Sequence, residues 1–265
     1  MTAFRIPGAS ASNWRPQSKT IAQLLLAQTS LLHWWRFDDR YVDVNGTQIT
    51  RVHDQVSDGA IDLTPFTNAN YANLVPNLLA LDDDGVGFPA AVPTGTSNYT
   101  AGIGNTLFGS GVDHGYAVIF REDPIDSVAQ SLCGKYTDLT HRSVLDVLHT
   151  GVVRFICGNA VAQSAARTPG RLSCVIAGRS GNTAQIRVDG VNGTPATITT
   201  GDNSTANFYA MEGDSGYGTD PLQTGGLISD ILVFNQSPFA VDGLVRLIEL
   251  LATKAYQLPF TPKAN

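Results

Sequence analysis

The clearest pattern of hydrophobic positions lies near the C-terminus of the chain. After Gly225 and Gly226, apolar residues dominate the stretch from Leu227 to Phe234, which predicts a last strand buried on both faces. Beyond this strand, apolar residues recur at spacings of three and four, which predicts one helix with a single apolar stripe. The stripe comprises Val241, Leu244, Val245, Ile248 and Leu251.

The N-terminal pattern is different. Residues 1–17 are rich in proline, glycine and small polar residues and predict an extended arm. Residues 19–27 have helical periodicity and predict a short helix. Residues 31–37, with the sequence LLHWWRF, predict a first core strand, on which Trp34 and Trp35 must face opposite sides. We therefore expect at least one of the two tryptophans in the core.

Between these ends, short apolar runs alternate with clusters of Gly, Asp and Asn. Strands this short, separated by turn residues, favour an all-β, antiparallel sandwich. Residues 171–190 predict a strand, a turn and a second strand that ends at Asp189-Gly190, a hairpin signal. The predicted strands of this middle region are 60–63, 78–81, 116–120, 143–148, 152–157, 172–176, 185–188, 196–199 and 206–211.

Composition and charge agree with one large β domain. Apolar residues make up 43% of the 265 positions, which is enough for a core, and charged residues only 15%. All 23 acidic residues follow residue 37, whereas four of the 17 basic residues precede it. A basic arm on an acidic body suggests that the arm lies against its own body or a neighbouring subunit; the alternative is that these four charges have no such role. The arm residues expected to make this contact are Arg5, Arg15 and Lys19.

The cysteines and the N-terminal sequence indicate the cellular compartment in which the protein is made. Cys133, Cys157 and Cys174 lie within apolar runs, which favours buried, reduced thiols over one disulfide and a free thiol. The first 31 residues show no signal-peptide pattern, and no apolar run approaches the ~20 residues that span a bilayer. We therefore expect no membrane partner and synthesis in a cytoplasm.

Several of these motifs, taken together, resemble one family. The aromatic first strand at 34–39, the Val188-Asp189-Gly190 turn, the glycine-led last strand at 226–235 and the helix ending at Lys254-x-Tyr256-x-Leu258 occur in that order. In this respect residues 31–258 resemble the laminin-G-like branch of the concanavalin A-like lectin/glucanase superfamily. The resemblance implies a two-sheet antiparallel jelly roll. It divides the chain into an arm with a short helix (residues 1–30) and a jelly-roll domain (residues 31–265).

The resemblance also implies where catalytic acids would lie. Hydrolases of this superfamily carry Glu-x-Asp-x-x-Glu on one strand, so that two carboxylates flank the glycosidic bond. This chain has three glutamates, and the nearest imitation is Glu122-Asp123-Pro124-Ile125-Asp126. Pro124 interrupts the strand geometry that would point both acids the same way. We therefore predict an acidic turn at this point, and no enzymatic activity.

Metal and ligand sites have weaker signals. Asp82, Asp83 and Asp84 precede a turn; calcium binding there stays open, although a solvated turn is favoured and no cofactor is required. The histidines show no zinc-ligand spacing. Glycans are bound by aromatic faces and polar groups. The candidates, placed in exposed loops, are Tyr99, Tyr136, Tyr209 and Tyr217.

These observations support one main hypothesis and two alternatives. The acidic body offers no basic stripe for nucleic acid. The resemblance includes bacteriophage virion proteins, so we expect a non-enzymatic virion subunit: a capsid decoration protein, head fibre or tail appendage. Its partners would be other virion subunits or copies of itself, with host-surface glycan as a further contact. The alternatives are a carbohydrate-binding module and, ranked last, a glycan-cleaving enzyme.

Overall fold

The fold is an antiparallel β sandwich with one short helix at its start and one longer helix at its end, as predicted from the sequence. The structure is a computed structural model. It describes residues 19–56, 61–65, 72–75, 90–93, 99–101, 111–124, 128–200, 207–211, 219–221 and 226–264. The extended arm predicted for residues 1–17 and the strand predicted for 78–81 lie outside this part of the chain.

Two layers of strands form the body. In the described residues, the first sheet comprises, in spatial order, β1 (Leu31–Arg36), β19 (Leu227–Phe234), β8 (His114–Arg121), β13 (Ser173–Ser180) and β14 (Thr183–Val188), the last of which also pairs with β15 (Val191–Asn192) and β16 (Ala196–Thr197). The second comprises β12 (Ala160–Gln163), β11 (Val153–Cys157), β10 (Arg142–Val147), β9 (Ala129–Tyr136), β17 (Phe208–Ala210), β7 (Tyr99–Ala101), β4 (Leu63–Pro65), β3 (Gln48–Val52) and β2 (Val42–Asn45).

Three further strands complete this description. β5 (Ala72–Val75) pairs with β3 and with β6 (Ala90–Pro93), and β6 also pairs with β19, so this pair joins the two sheets. β18 (Thr219–Pro221) runs parallel to β9. All the other pairings named above are antiparallel.

The main core lies between the two sheets. Trp35 stacks on Phe208 with ring centroids 5.2 Å apart, and Tyr116 meets Phe155 edge to face at 6.0 Å. Each of these contacts joins a residue of the first sheet to one of the second. Large aromatic side chains therefore set the distance between the layers.

A second core covers the opposite face of the first sheet. The helix α2 (Leu244–Ala255) lays its apolar stripe on this face, and the shorter α1 (Ile21–Leu26) packs beside it. Trp34 belongs to this second core and Trp35 to the main core, and both are fully buried. All eight residues of β19 are buried, which confirms the predicted strand with two apolar faces.

Local signals explain where the helices begin. Thr20 precedes α1, and its hydroxyl accepts a hydrogen bond from the backbone of Gln23, whose side chain in turn accepts one from the backbone of Thr20. This reciprocal cap stabilises a helix of only six residues. Before α2, Gly243 adopts a positive φ of 74°, a conformation that glycine takes without steric cost.

A buried carboxylate lies between the first sheet and the helical layer. Asp230, on β19, is fully buried and accepts a hydrogen bond from the indole of Trp34 at 2.7 Å. Arg36 Nε lies 3.3 Å from the same carboxylate oxygen, and the hydroxyl of Tyr256 also donates to Asp230. Burial would lower the pKa of Arg36, but attraction to Asp230 and Asp38 raises it above its usual value. We call this set of side chains the Asp230 cluster.

The cysteine prediction is confirmed. Cys133, Cys157 and Cys174 are free and buried. Burial raises the pKa of the Cys133 and Cys174 thiols, so neither exists as a thiolate at neutral pH. The three cysteines act as small apolar residues of the core.

The Asp230 cluster generates a stability prediction. The Tyr256 hydroxyl donates to Asp230 and accepts from Ser229 at 2.7 Å, in a fully buried setting. Tyr256→Phe should therefore lower the free energy of unfolding by about 1–3 kcal/mol, as expected when a buried carboxylate loses a donor. Urea denaturation measures this change. The control is Tyr41→Phe, because the half-buried Tyr41 has no hydroxyl hydrogen bond within the described residues.

Candidate functional site

The structure places the predicted glycan-binding tyrosines differently from expectation. Tyr209 lies on β17 and is only 6% exposed, so its predicted position in an exposed loop is wrong. Its neighbours Phe208 and Ala210 face the core, and alternation turns Tyr209 to the outer face of the second sheet. Tyr136 is the half-buried last residue of β9, and Tyr99 begins β7. Neither lies in a loop.

The remaining predicted site residues lie largely outside the described part of the chain. This applies to Tyr217, to the calcium candidates Asp82, Asp83 and Asp84, and to the arm residues Arg5 and Arg15. Lys19 is described and is exposed immediately before α1. Calcium binding, the arm contacts, the division into residues 1–30 and 31–265, and the expected lack of nucleic-acid and membrane partners stay predictions.

The outer face of the second sheet is polar, but its charged groups have partners within the protein. Asp146 and Arg154 lie opposite one another on β10 and β11 and form a two-pronged ion pair at 2.8 and 2.6 Å. Burial raises the pKa of Asp146, and the hydrogen bonds from Arg154 oppose that shift. Arg142 Nε donates to the carbonyl of Gly158 at 3.1 Å. These groups hold neighbouring strands together.

The acidic turn examined for catalysis also has a structural role. Glu122 is fully buried, and one of its oxygens lies 2.5 Å from Arg167. The guanidinium of Arg167 in turn stands over the ring of Phe120, 5.0 Å from its centroid. Asp126, the last acid of the 122–126 segment, lies outside the described residues. Glu122 therefore attaches the segment that contains Arg167 to the end of β8.

An open groove runs between the end of α1, the turn after β1 and the end of β3. Its volume is about 670 Å³, within the usual range for small-ligand sites. We call it the Tyr41 groove. It is lined by Leu26, Arg40, Tyr41, His53, Asp54, Gln55 and Val56. Leu26 and Val56, 42% and 36% exposed, give it an apolar rim.

The floor of the Tyr41 groove is attached to the first sheet by Asp54. One Asp54 oxygen accepts from the backbone N–H of Trp34 at 3.1 Å and of Val56 at 3.0 Å. The other lies 2.6 Å from Nδ1 of His33, whose ring stacks on Trp35. Because both oxygens are engaged and Asp54 is buried, this carboxylate is a structural support for the groove.

The basic side chains on the groove wall each lie beside carboxylates. Arg40 binds Asp38 through two hydrogen bonds, of 3.0 and 2.6 Å. His53 lies 3.2 Å from Asp43 on one side and 3.2 Å from Asp62 on the other. A ligand carboxylate would have to compete with these groups for either basic side chain.

The Gln55 side chain is different, because no hydrogen bond within the described residues engages its amide. Its backbone N–H donates to the carbonyl of Trp34 at 3.0 Å, which fixes its position on the wall. The side-chain nitrogen is buried without a hydrogen-bond partner. The Tyr41 ring lies nearby on the same wall, with the guanidinium groups of Arg36 and Arg40 5.9 and 5.8 Å from its centroid. The groove thus combines an aromatic ring with an unused amide.

The sequence analysis missed the β2–β3 hairpin, whose base borders this groove. β2 and β3 are joined at Gly46, whose φ is 64°, and Asn45-Gly46 between alternating apolar residues is a recognised hairpin signal. The same hairpin signal would have drawn attention to Tyr41, the aromatic residue directly before β2. Gln55 carried no such signal, because its unpaired amide depends on tertiary neighbours.

Within the described residues, no group of three or more His, Cys, Asp or Glu side chains is arranged to hold a metal ion. Among the helices of that same part of the chain, none has the length and apolar character needed to cross a membrane.

Comparison with known proteins shows likeness in fold only. No protein-family model and no curated protein matches the sequence. Among solved structures, Trypanosoma rangeli sialidase in complex with sialic acid is similar over 88% of this chain, with 12% identity and a TM-score of 0.54. The match covers 34% of the sialidase, so this chain spans about a third of that protein's length.

Two further neighbours are also glycosidases or parts of them. Domain 4 of AbnA, a GH43 extracellular arabinanase from Geobacillus stearothermophilus, was solved in complex with arabinotriose; it matches over 77% of this chain and 92% of its own, with 13% identity and a TM-score of 0.52. An arabinofuranosidase complexed with arabinofuranosyl-alpha-1,2-xylobiose matches over 79% and 51%, with 10% identity and a TM-score of 0.58.

These neighbours correct the main functional prediction. A non-enzymatic virion subunit was expected, but the sandwich is shared with glycan-processing enzymes, and no virion protein is among the neighbours named above. The prediction that the chain has no enzymatic role is contradicted by the same finding. The alternative of a carbohydrate-binding or glycan-cleaving protein agrees better with these structures.

The groove floor generates a second stability prediction. Asp54→Ala removes the acceptor for two backbone N–H groups and for His33, so we expect the free energy of unfolding to fall by about 2–4 kcal/mol. Chemical denaturation followed by tryptophan fluorescence measures the change. Asp43→Ala is the matched control, because its side chain is 55% exposed and it should alter stability by less than about 0.5 kcal/mol. Equal effects of the two substitutions would contradict the role of Asp54.

Proposed function

We propose that this chain is a glycan-binding domain of a glycan-processing protein. The observation that carries the proposal is the match to an isolated arabinanase domain: it extends over 92% of that domain, which was solved with arabinotriose. The sialidase match, limited to about a third of that protein, fits a unit that accompanies other parts of such proteins. The described surface also offers a groove of the size and mixed character that saccharides require.

We further propose that the sandwich is of the laminin-G-like, concanavalin A-like type. Three features of the sequence that suggested this type support the proposal through their positions in the fold. Trp34 and Trp35 lie on the first core strand, Asp189 and Gly190 adopt positive φ at the end of the β13–β14 hairpin, and the glycine-led strand β19 lies between β1 and β8. The closing helix α2 follows β19.

Glycan binding is tested directly on the purified chain. Affinity gel electrophoresis and isothermal titration calorimetry with arabinan, xylan, arabinoxylan, β-glucan, polygalacturonan and sialylated oligosaccharides should show binding to at least one of them. Reducing-end assays on the same mixtures should accompany the titrations, because the structural neighbours are glycosidases. Absence of binding to the whole panel, by a chain whose circular dichroism shows a folded β protein, would overturn the proposal.

A further inference from the structure

We infer that the Tyr41 groove is the saccharide site and that its ligand is an uncharged sugar residue, an inference that rests on the proposed glycan-binding function. The Tyr41 ring supplies apolar contact to the sugar, and the Gln55 amide oxygen accepts a hydrogen bond from a sugar hydroxyl group. None of the sequence-predicted site residues belongs to this groove.

The first step is accessibility. The Tyr41 groove is open, its volume is about 670 Å³, and its rim residues Leu26 and Val56 are 42% and 36% exposed. On the outer face of the second sheet, by contrast, Tyr209 and Arg142 are only 6% and 7% exposed. Of these two surfaces, the groove is therefore the one that a glycan chain can enter without a conformational change.

The second step is hydrogen-bonding capacity. The carboxylates and guanidinium groups around the groove are already paired, and Asp54 has both oxygens engaged. The Gln55 amide forms no hydrogen bond within the described residues, and its nitrogen is buried. The amide oxygen is not among the buried atoms, so it is the end of the side chain that a sugar hydroxyl can reach and donate to.

The third step is charge. Arg40 already forms two hydrogen bonds with Asp38, and His53 lies between Asp43 and Asp62. A sugar carboxylate would approach these acids and find no uncompensated cation on the groove wall. An uncharged sugar meets no such repulsion. This separates the expected ligand from the sialic acid bound by the neighbouring sialidase.

The test compares two variants with a matched control. Gln55→Leu keeps the side-chain volume but removes the amide, and should weaken binding of a neutral oligosaccharide such as arabinotriose or xylotriose about 10-fold. Tyr41→Ala should weaken it by about 10-fold or more. Gln163→Leu makes the same chemical change on β12, at an exposed position outside the groove, and should bind as the parent protein does.

Thermal unfolding separates binding from folding. Because Gln55→Leu removes a buried nitrogen that has no partner, its melting temperature should equal or exceed that of the parent protein even as binding is lost. A merely structural role for Gln55 would predict the opposite: a lower melting temperature together with weaker binding.

Each outcome of the titrations supports or overturns the groove assignment, the ligand class or the proposed function. Loss of neutral-sugar binding in both groove variants, with the control unchanged, supports the inference. Unaltered binding in both variants overturns the groove assignment and leaves the glycan-binding function standing. Sialylated or uronic acid oligosaccharides bound as tightly as neutral ones of equal length overturn the ligand class. A parent protein that binds no member of the panel refutes the proposed function itself.

Discussion

The first sheet is buried on both faces, and the rest of the structure depends on how that burial is accommodated. One face packs against the second sheet, and the other packs against α1 and α2. A polar group in such a sheet must find its partners inside the protein, because water does not reach it. Asp230 meets this condition through Trp34, Arg36 and Tyr256, which come from β1 and from the end of α2. The Asp230 cluster thus joins the edge strand, the central strand and the closing helix.

The same requirement shapes the Tyr41 groove. β1 borders β19 on one side, and on its other side Asp54 accepts a hydrogen bond from the backbone of Trp34 and forms an isolated bridge with Trp35. This contact brings the segment after β3 against the end of α1 and leaves a groove between them. The groove is therefore a consequence of how the edge of a doubly buried sheet is completed. Its floor is held by the hydrogen bonds of Asp54, and Tyr41 and Gln55 lie on its wall.

The fold is shared with glycan-processing enzymes, and no virion protein is among the structural neighbours named above. The sequence resemblance was to a superfamily that includes both kinds of protein, so the choice between them rested on analogy. The structural neighbours are a sialidase, an arabinanase domain and an arabinofuranosidase. Glu122, in the predicted acidic turn, binds Arg167, and a second buried glutamate, Glu249 of α2, binds Arg187 at 2.6 Å.

Much of the architecture can be predicted from the sequence alone, because the local periodicity of apolar residues specifies the secondary structure. The continuous apolar run of β19, the spacing of three and four in α2 and the Asp189-Gly190 turn each predict their element without reference to distant residues. The separate burial of Trp34 and Trp35 follows from strand alternation. Only the tertiary structure could place Tyr209 on a buried face or show that the amide of Gln55 has no partner among the described residues, because both depend on residues far away in the chain. Periodicity specifies which face of an element is apolar, whereas a binding groove depends on which polar groups remain unpaired after all the elements have packed.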